Sequence, residues 1–482
     1  MSEKKPNILL ITTDQQRFDT IAALGNQHIY TPHLDWLVDE GITYNRCYTS
    51  CPLCMPSRAT IMTGMQGYET GLGGNDDRLK PMEKYETLPA ILTKNGYQTR
   101  AQGKMHFSPV RANYGFEHME ISLDYYREMR NHPEYGTPKD HGVGENETEP
   151  VISTVHESHS LTHWTVKRSI DFLETRDETR PFFLWTSFAK PHPPFDPCYN
   201  YWALYQNMTM PDPVVGDWSS QTDDLSHAFK FQSYEINHTH RYTPEQITQM
   251  RRAYYACITQ IDYSLGLLFA RMRELELLDN TWIVFTSDHG DMMGDHNMGA
   301  KIIFFEGSAH IPLIIRPPQR AFAKNTIENN SCDALVDLGD IMPTILEMAG
   351  VKAPSNVQGT DILSPQITKD RKNHTFYGQS LERYYLVLSD NIKYMFTTLG
   401  GHELLFDLKT DPYEQHNLIN DPAYAKELKM SRKKLIKLNE KYMPHKVKDG
   451  QMIVTEKAPK GPHEVPKWPG MLSPNSNEDT LH

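Results

Sequence analysis

The chain has 482 residues, 38% of them hydrophobic, enough for a large core and a companion subdomain but not for a fibrous or disordered protein. Acidic residues outnumber Lys and Arg by 61 to 49, a net charge of -12 that opposes non-specific nucleic-acid binding and requires any anionic ligand to meet locally concentrated cations. No apolar run approaches the roughly 20 residues of a membrane span, and six cysteines are too few for a disulfide scaffold of this length.

In chain order, Met1 to Pro6 lead into Asn7-Ile-Leu-Leu-Ile-Thr-Thr13, read as a buried first strand and not as a signal peptide. That reading makes the cytoplasm the default address, or the periplasm or exterior if a leader has been trimmed. Thr31-Pro32 predicts a helix start that Gly41 ends, and Thr87 to Asn95-Gly96 predicts another. Tyr97 to Ala101 and Phe182 to Trp185 read as strands. The segments from about Asp124 to His163 and from Tyr199 to Tyr242 are polar, aromatic and weakly periodic, so they are expected to be long surface insertions that carry substrate contacts.

Ile247, Met250, Tyr254, Ile258, Ile261, Leu265 and Leu268 recur at helical spacing between about Pro244 and Leu278 and predict a helix covering one face of a sheet. Trp282 to Ser287 is a second continuous apolar strand. It ends in Asp288-His289 as the first ends in Asp14-Gln15; in open α/β sheets such carboxyl-terminal tips converge on one site. Beyond Lys369 the pieces Tyr384 to Leu388, Ile392 to Phe396 and Glu403 to Asp407, with a helix near Tyr424 to Asn439, predict a small antiparallel subdomain. The expected division is a catalytic domain over 1–369, the subdomain over 370–455 and a proline-rich tail over 456–482.

Three cysteines, Cys47, Cys51 and Cys54, crowd into eight residues. Cys51-Pro-Leu-Cys54 has the spacing of a redox or zinc pair, but no second pair completes a zinc site and neither reading accounts for the residues after Cys54. These are Met55-Pro56-Ser57-Arg58 and then Thr63-Gly64, and with Cys54 they resemble the maturation signature of type I sulfatases, Cys-x-Pro-Ser-Arg-x-x-x-x-Thr-Gly. The resemblance implies an alkaline-phosphatase-like α/β fold: a large, mixed, mostly parallel sheet sandwiched by helices, with a small C-terminal antiparallel β subdomain. It further implies oxidation of Cys54 to formylglycine by a maturation enzyme. The hydrated aldehyde has one oxygen to attack sulfur and a second whose deprotonation later expels sulfate. Arg58, one helical turn on, is expected to steady the developing oxyanion or the adjacent metal ligands.

The same resemblance places a divalent cation on Asp14, Gln15, Cys54, Asp288 and His289. Carboxylate and amide oxygens favour Ca²⁺ or Mg²⁺, whereas an imidazole leans toward Mn²⁺ or Zn²⁺; Ca²⁺ is the expectation, with Mg²⁺ or Mn²⁺ as alternatives. The commonest sulfatase pattern has Asp-Asp at the first tip and often Asn last, so Gln15 and His289 depart from it.

Gly103-Lys104-Met105-His106 is similar to the element whose lysine touches sulfate and whose histidine removes the formylglycine hydroxyl proton, a task suited to a side chain titrating near neutrality. Lys190-Pro191-His192-Pro193-Pro194 matches the second histidine element, and His192 is the candidate sulfate contact and proton donor to the leaving oxygen. Lys301 occupies the place of a further sulfate-binding lysine, and Phe304-Phe-Glu-Gly-Ser-Ala309 is similar to the choline-sulfatase-like branch, with iduronate-sulfatase-like features elsewhere.

Leu405 to Leu418 resembles the family's C-terminal signature and is read as a docking element, whereas His238 and His240 match no family motif and are set aside as a metal pair. The expected substrate is a small-molecule or oligosaccharide sulfate ester, most of all a sulfated carbohydrate. Choline sulfate or another small alkyl sulfate, and a phosphonate or phosphate ester, are the alternatives within enzymes. A binding module that has lost activity is the alternative outside them, and it predicts missing site residues where none is missing.

Overall fold

The computed structural model describes residues 5–75, 82–134, 141–237, 239–318, 330–364 and 366–455, so the expected tail and His238 lie outside the described residues. Among the described residues nine strands form the main sheet: β1 (Asn7–Asp14), β2 (Ile42–Tyr48), β3 (Gln98–Gly103), β4 (His118–Ile121), β5 (Phe182–Pro191), β6 (Thr281–Ser287), β7 (His310–Ile311), β8 (Leu313–Arg316) and β9 (Ser331–Asp337). Their order is β4-β3-β5-β1-β6-β8-β2-β7, with β9 pairing β2. The run from β4 to β6 is parallel, with Ile8 opposite both Phe183 and Trp282, whereas β8 is antiparallel to β6 and β2.

Every residue of β1 is buried, as a central strand covered on both faces must be. Ile8 and Leu10 point into a cluster with Phe183, Trp185 and Ile345, while Leu9 and Ile11 point the other way onto Leu184, Leu265 and Leu268. The second layer comes from the helix Pro244–Glu274, which starts at a reciprocal cap between Thr243 and Gln246. Its C-terminal half covers the sheet, while Met250, Tyr254 and Ile258 in its N-terminal half instead cover Phe195, Cys198 and Tyr205.

A second sheet, β10 (Thr375–Ser380), β11 (Tyr384–Ser389), β12 (Ile392–Thr397) and β13 (Glu403–Asp407), is antiparallel throughout. Period-two alternation sends Tyr384, Leu386 and Leu388 toward Trp218, Phe229 and Phe305 of the main body, and Tyr385 and Val387 toward Leu435 and Met443 at the helix Ala425–Tyr442. The expected α/β architecture with a C-terminal antiparallel sheet is therefore the one observed.

The two expected surface insertions contain helices that the weak periodicity did not announce. Ser122–Arg130 is a helix buried through Tyr125 and Met129 against Val155 and Trp164. Tyr199–Tyr205 and Asp224–Ile236 are helices too, the latter capped by Asp223, whose side chain accepts from Ser226 N. Their aromatic residues pack into neighbouring clusters, and that tertiary burial outweighs the weak local pattern. No helix among the described residues is long and apolar enough to cross a membrane.

Candidate active site

Four neighbouring parallel strands, β3, β5, β1 and β6, deliver the candidate residues from their carboxyl ends: Lys104 and His106 after β3, His192 after β5, Asp14 and Gln15 at β1, and Asp288 and His289 after β6. Gly103 makes the first delivery possible. Its φ is +93° and a Cβ there would lie 2.0 Å from the Ser187 carbonyl oxygen, so only glycine lets β3 turn against β5 and send Lys104 into the site. Gln15 and His106 also hold positive φ, 73° and 52°, backbone strain of the kind that gathers where side chains must be aimed.

Opposite the strand tips stands the helix Cys54–Thr63, all ten residues of which are buried. Cys54 is its first residue, where unpaired N–H groups and the helix dipole favour an anion. The rest of the signature fixes this helix. Ser57 Oγ donates to the Cys51 carbonyl at 2.9 Å, Thr63 Oγ1 donates to that of Ala59 at 2.7 Å, and Gly64 closes the helix in the left-handed conformation.

Arg58, one turn along the same helix from Cys54, is fully buried. Its Nε reaches Asp288 Oδ2 at 3.0 Å, Nη2 reaches Asp14 Oδ2 at 3.0 Å, and Nη1 donates to the Lys104 carbonyl at 2.6 Å and Ser187 Oγ at 2.7 Å. The guanidinium is thus committed to the carboxylate pair Asp14 and Asp288.

Asp14, Cys54, Asp288 and His289 offer one ligand atom each within 4.8 Å of one another. His289 Nδ1 donates to the Gly290 carbonyl at 3.0 Å, which turns Nε2 toward Cys54 Sγ at 3.3 Å; burial opposes the ring's charge, but Asp288 and Cys54 prevail and raise it above its ordinary range. Burial and the facing Asp14 push Asp288 above its ordinary range; burial and Cys54 also oppose ionisation of Asp14, but Lys104, His192 and Arg58 hold it low. Two buried carboxylates and an imidazole nitrogen, which would give up its proton to a metal, fit a divalent cation. Gln15 flanks this set: its Oε1 accepts from Lys301 Nζ at 2.6 Å and its amide nitrogen donates to Asp291.

Cations ring the thiol. Lys301 Nζ lies 3.4 Å from Cys54 Sγ and Lys104 Nζ 2.9 Å from Asp14 Oδ2, while His106 and His192 both reach the sulfur. Burial alone would raise the Cys54 thiol, but Lys301, Lys104 and His289 outweigh it and hold it well below the ordinary thiol range. Its neighbours behave oppositely, for burial pushes Cys51 up to about 12 and raises Cys47. All six cysteines are unpaired, and Cys54, not Cys51, lies in the group of potential metal ligands. His192 Nδ1 donates to the Pro193 carbonyl at 2.9 Å, and burial with the charges of Lys301 and Lys104 holds the ring down at about 4.

A cavity of ≈ 70 Å³ opens beside Lys104, His106 and His192 and is walled by Tyr126, Glu145 and Asp196. A larger one, ≈ 520 Å³, lies near Arg17 and Tyr413 and touches none of the candidate residues, so size does not locate the chemistry. Sequence reasoning missed Asp291, Ser187 and Tyr254, which hold Gln15, Arg58 and the backbone after β1. Asp291 was within reach, since it follows Asp288 in the same polar block; Ser187 and Tyr254 carry no signal before the fold is known. Phe304 and Phe305, expected to mark a substrate branch, are buried between the two sheets, with Phe305 stacked on Trp218 at 5.0 Å.

A buried cysteine at a helix N-terminus, a group of potential ligands for one cation and convergent lysines, all at the carboxyl edge of a mixed sheet, agree with a hydrolase of the alkaline-phosphatase-like class. Residues 6–351 match the family model described as Sulfatase and residues 294–441 the one described as N-sulphoglucosamine sulphohydrolase, C-terminal: the chain belongs to the sulfatase family and is a sulfuric ester hydrolase. It is 33% identical to an arylsulfatase of Clostridium perfringens over 90% of this chain and 94% of that one. It is 25% identical to an N-acetylglucosamine-6-O-sulfatase of Bacteroides thetaiotaomicron over 88% and 85%. In structure it is similar to a phosphonate monoester hydrolase of Agrobacterium radiobacter, with a TM-score of 0.76, 23% identity and coverage of 91% and 96%.

Proposed function

We propose that the protein hydrolyses a sulfate monoester of a carbohydrate, with residue 54 acting as formylglycine and a divalent cation, Ca²⁺ by preference, beside it. The observation that carries this reading is the ring of Lys301, Lys104, His106, His192 and His289 around one helix-terminal side chain. After oxidation, residue 54 supplies a gem-diol whose first oxygen attacks sulfur and whose second, once deprotonated, expels sulfate as the aldehyde re-forms.

Once the bound ester's negative charge offsets Lys104 and Lys301, His192 takes up a proton from solvent at Nε2 and gives it to the leaving alcohol, and His106 takes one from the second hydroxyl. Lys104 and Lys301 bind the sulfate oxygens and offset charge on the transferring group. Asp14, Asp288 and His289 would hold the cation together with residue 54 and the flanking Gln15; once bound, it supplies Lewis-acid stabilisation of negative charge. For the carbohydrate, Tyr126 offers a ring face and Glu145 offers an acceptor for hydroxyls at the cavity beside His192.

A second reading, hydrolysis of phosphonate or phosphate esters, has support in the Asp14-Gln15 and Asp288-His289 tips and in the phosphonate-hydrolase likeness of the fold. Rates on an aryl sulfate and an aryl phosphonate, measured on protein co-expressed with a formylglycine-generating enzyme, separate the two. Preference for the sulfate is expected; a higher kcat/KM on the phosphonate overturns the reading.

A further inference from the structure

Lys190 has no part in the proposed reaction, yet it lies two residues before His192 and lines the same cavity. Its ammonium does not point at the place of the substrate. Nζ donates to the Pro194 carbonyl at 2.5 Å, approaches the His192 carbonyl at 3.4 Å and pairs with Asp196 Oδ1. The ammonium is thus held by two backbone carbonyls and an ion pair, all from the loop it precedes.

The carbonyl between the two that Lys190 holds is that of Pro193, and it is the acceptor for His192 Nδ1 at 2.9 Å. The clamp therefore grips the peptide units on either side of the group that orients the imidazole. Asp196 is fixed in turn. Its Oδ2 lies 3.4 Å from His141 Nε2, and His141 Nδ1 accepts from Val143 N at 3.0 Å, which leaves the proton on Nε2 to be donated to the carboxylate. Burial opposes the Asp196 charge, but Lys190 prevails and holds the carboxyl below its ordinary range.

We propose that Lys190 is a positioning residue for His192: with Asp196 and His141 behind it, it locks the 190–196 loop so that Nε2 meets the leaving oxygen. This rests on His192 being the proton donor. A donor displaced by about 1 Å loses on the order of 100-fold in rate, and the loss falls on substrates whose leaving group needs the proton. The far end of the loop is held separately, with Val151 N donating to the Phe195 carbonyl and Ser153 N to that of Pro197, each at 3.1 Å, so removing the ammonium leaves the loop tethered.

The test is a series of aryl sulfates with leaving-phenol pKa from about 5 to about 10, assayed on the formylglycine-bearing full chain and on Lys190→Met, Asp196→Asn, His192→Ala and the Lys190→Met/His192→Ala double variant. For Lys190→Met the expected loss in kcat/KM is under about 5-fold at the acidic end and grows to about 100-fold at the basic end, with KM little changed. Asp196→Asn shows the same trend at smaller amplitude and serves where Lys190→Met does not fold. The double variant loses no more than His192→Ala, because the clamp acts through the histidine. A loss uniform across the series, or one that multiplies in the double variant, overturns the clamp. If His192→Ala leaves the leaving-group dependence unchanged, the proton-donor assignment itself fails; if His192→Ala steepens it and Lys190→Met does not, only the clamp fails.

Discussion

At the scale of single residues, what separates Cys54 from Cys47 and Cys51 is its surroundings. All three are buried, but only Cys54 faces Lys301 and His289, so only its thiol is drawn down while the others rise. Cys54→Ala is expected to lower aryl sulfate hydrolysis by at least about 1,000-fold with an unchanged circular dichroism spectrum. The wild-type peptide should weigh about 18 Da less than its cysteine form; an unmodified thiol in fully active protein would sink the mechanism.

Arg58 is a different case, since its substitution strikes the fold. Arg58→Ala leaves Asp14 and Asp288 facing each other in the core and should destabilise the metal-free protein by about 3–5 kcal/mol in urea unfolding. A loss under 1 kcal/mol would show that protonation or water replaces the guanidinium. The site positions were legible in the sequence because motifs name residues; the choice of Arg58 between oxyanion and carboxylates was not, because it depends on where its planar fork lands.

Elements were legible where their pattern was set by the sheet. Asn7–Asp14 and Thr281–Ser287 are buried on both sides and read as continuous apolar runs, and they lie side by side as expected. Local signals were weaker guides. Thr31 and Thr87 precede helices as expected, yet neither caps with its side chain: Thr31 Oγ1 accepts from Ala22 N and Thr87 Oγ1 donates to the Tyr114 carbonyl. Tertiary partners claimed both hydroxyls. The helices at Ser122–Arg130 and Asp224–Ile236 escaped notice because what stabilises them is burial against segments distant in the chain.

The strand-end Gly103 gives the prediction at this scale. Gly103→Ala puts a methyl group at 2.0 Å from the Ser187 oxygen in a left-handed backbone, so β3 and β5 must part. About 2–4 kcal/mol of stability should be lost, with at least a 10-fold fall in kcat because Lys104 and His106 move with the turn. Stability loss with full activity in the folded fraction would show that the turn does not aim them.

For the whole molecule, the question is what joins the two sheets. Between them Lys393, fully buried, reaches Glu306 Oε1 and Glu414 Oε1 at 2.7 Å each, and Glu306 Oε2 is 2.7 Å from His310 Nδ1. Glu414 stands in the Leu405 to Leu418 stretch that the sequence marked as a docking element, and its Oε2 accepts from Glu306 N at 2.8 Å. One ammonium cannot fully offset two carboxylates. Burial and Glu306, against Lys393, push Glu414 up to about 7; burial also opposes the Glu306 charge, but Lys393 and His310 hold it at about 2.

The signs then oppose each other. Between about pH 4.5 and 7 an unfolded Glu414 has lost its proton while the folded one keeps it, so its contribution to stability falls as pH rises. Glu306 contributes stability that is present above about pH 4.5 and lost as pH falls toward 2. Asp337, pushed up to about 7 by burial and Asp340, adds a second fall over the higher window, so only a difference between proteins isolates Glu414. Urea unfolding at pH 5 and 8 should show wild type losing ~2 kcal/mol more than Glu414→Gln over that interval, with the loss below pH 4 retained in both. Equal slopes would mean that the proton resides elsewhere in the Glu306, Lys393 and His310 cluster, and that the junction between the sheets does not titrate through Glu414.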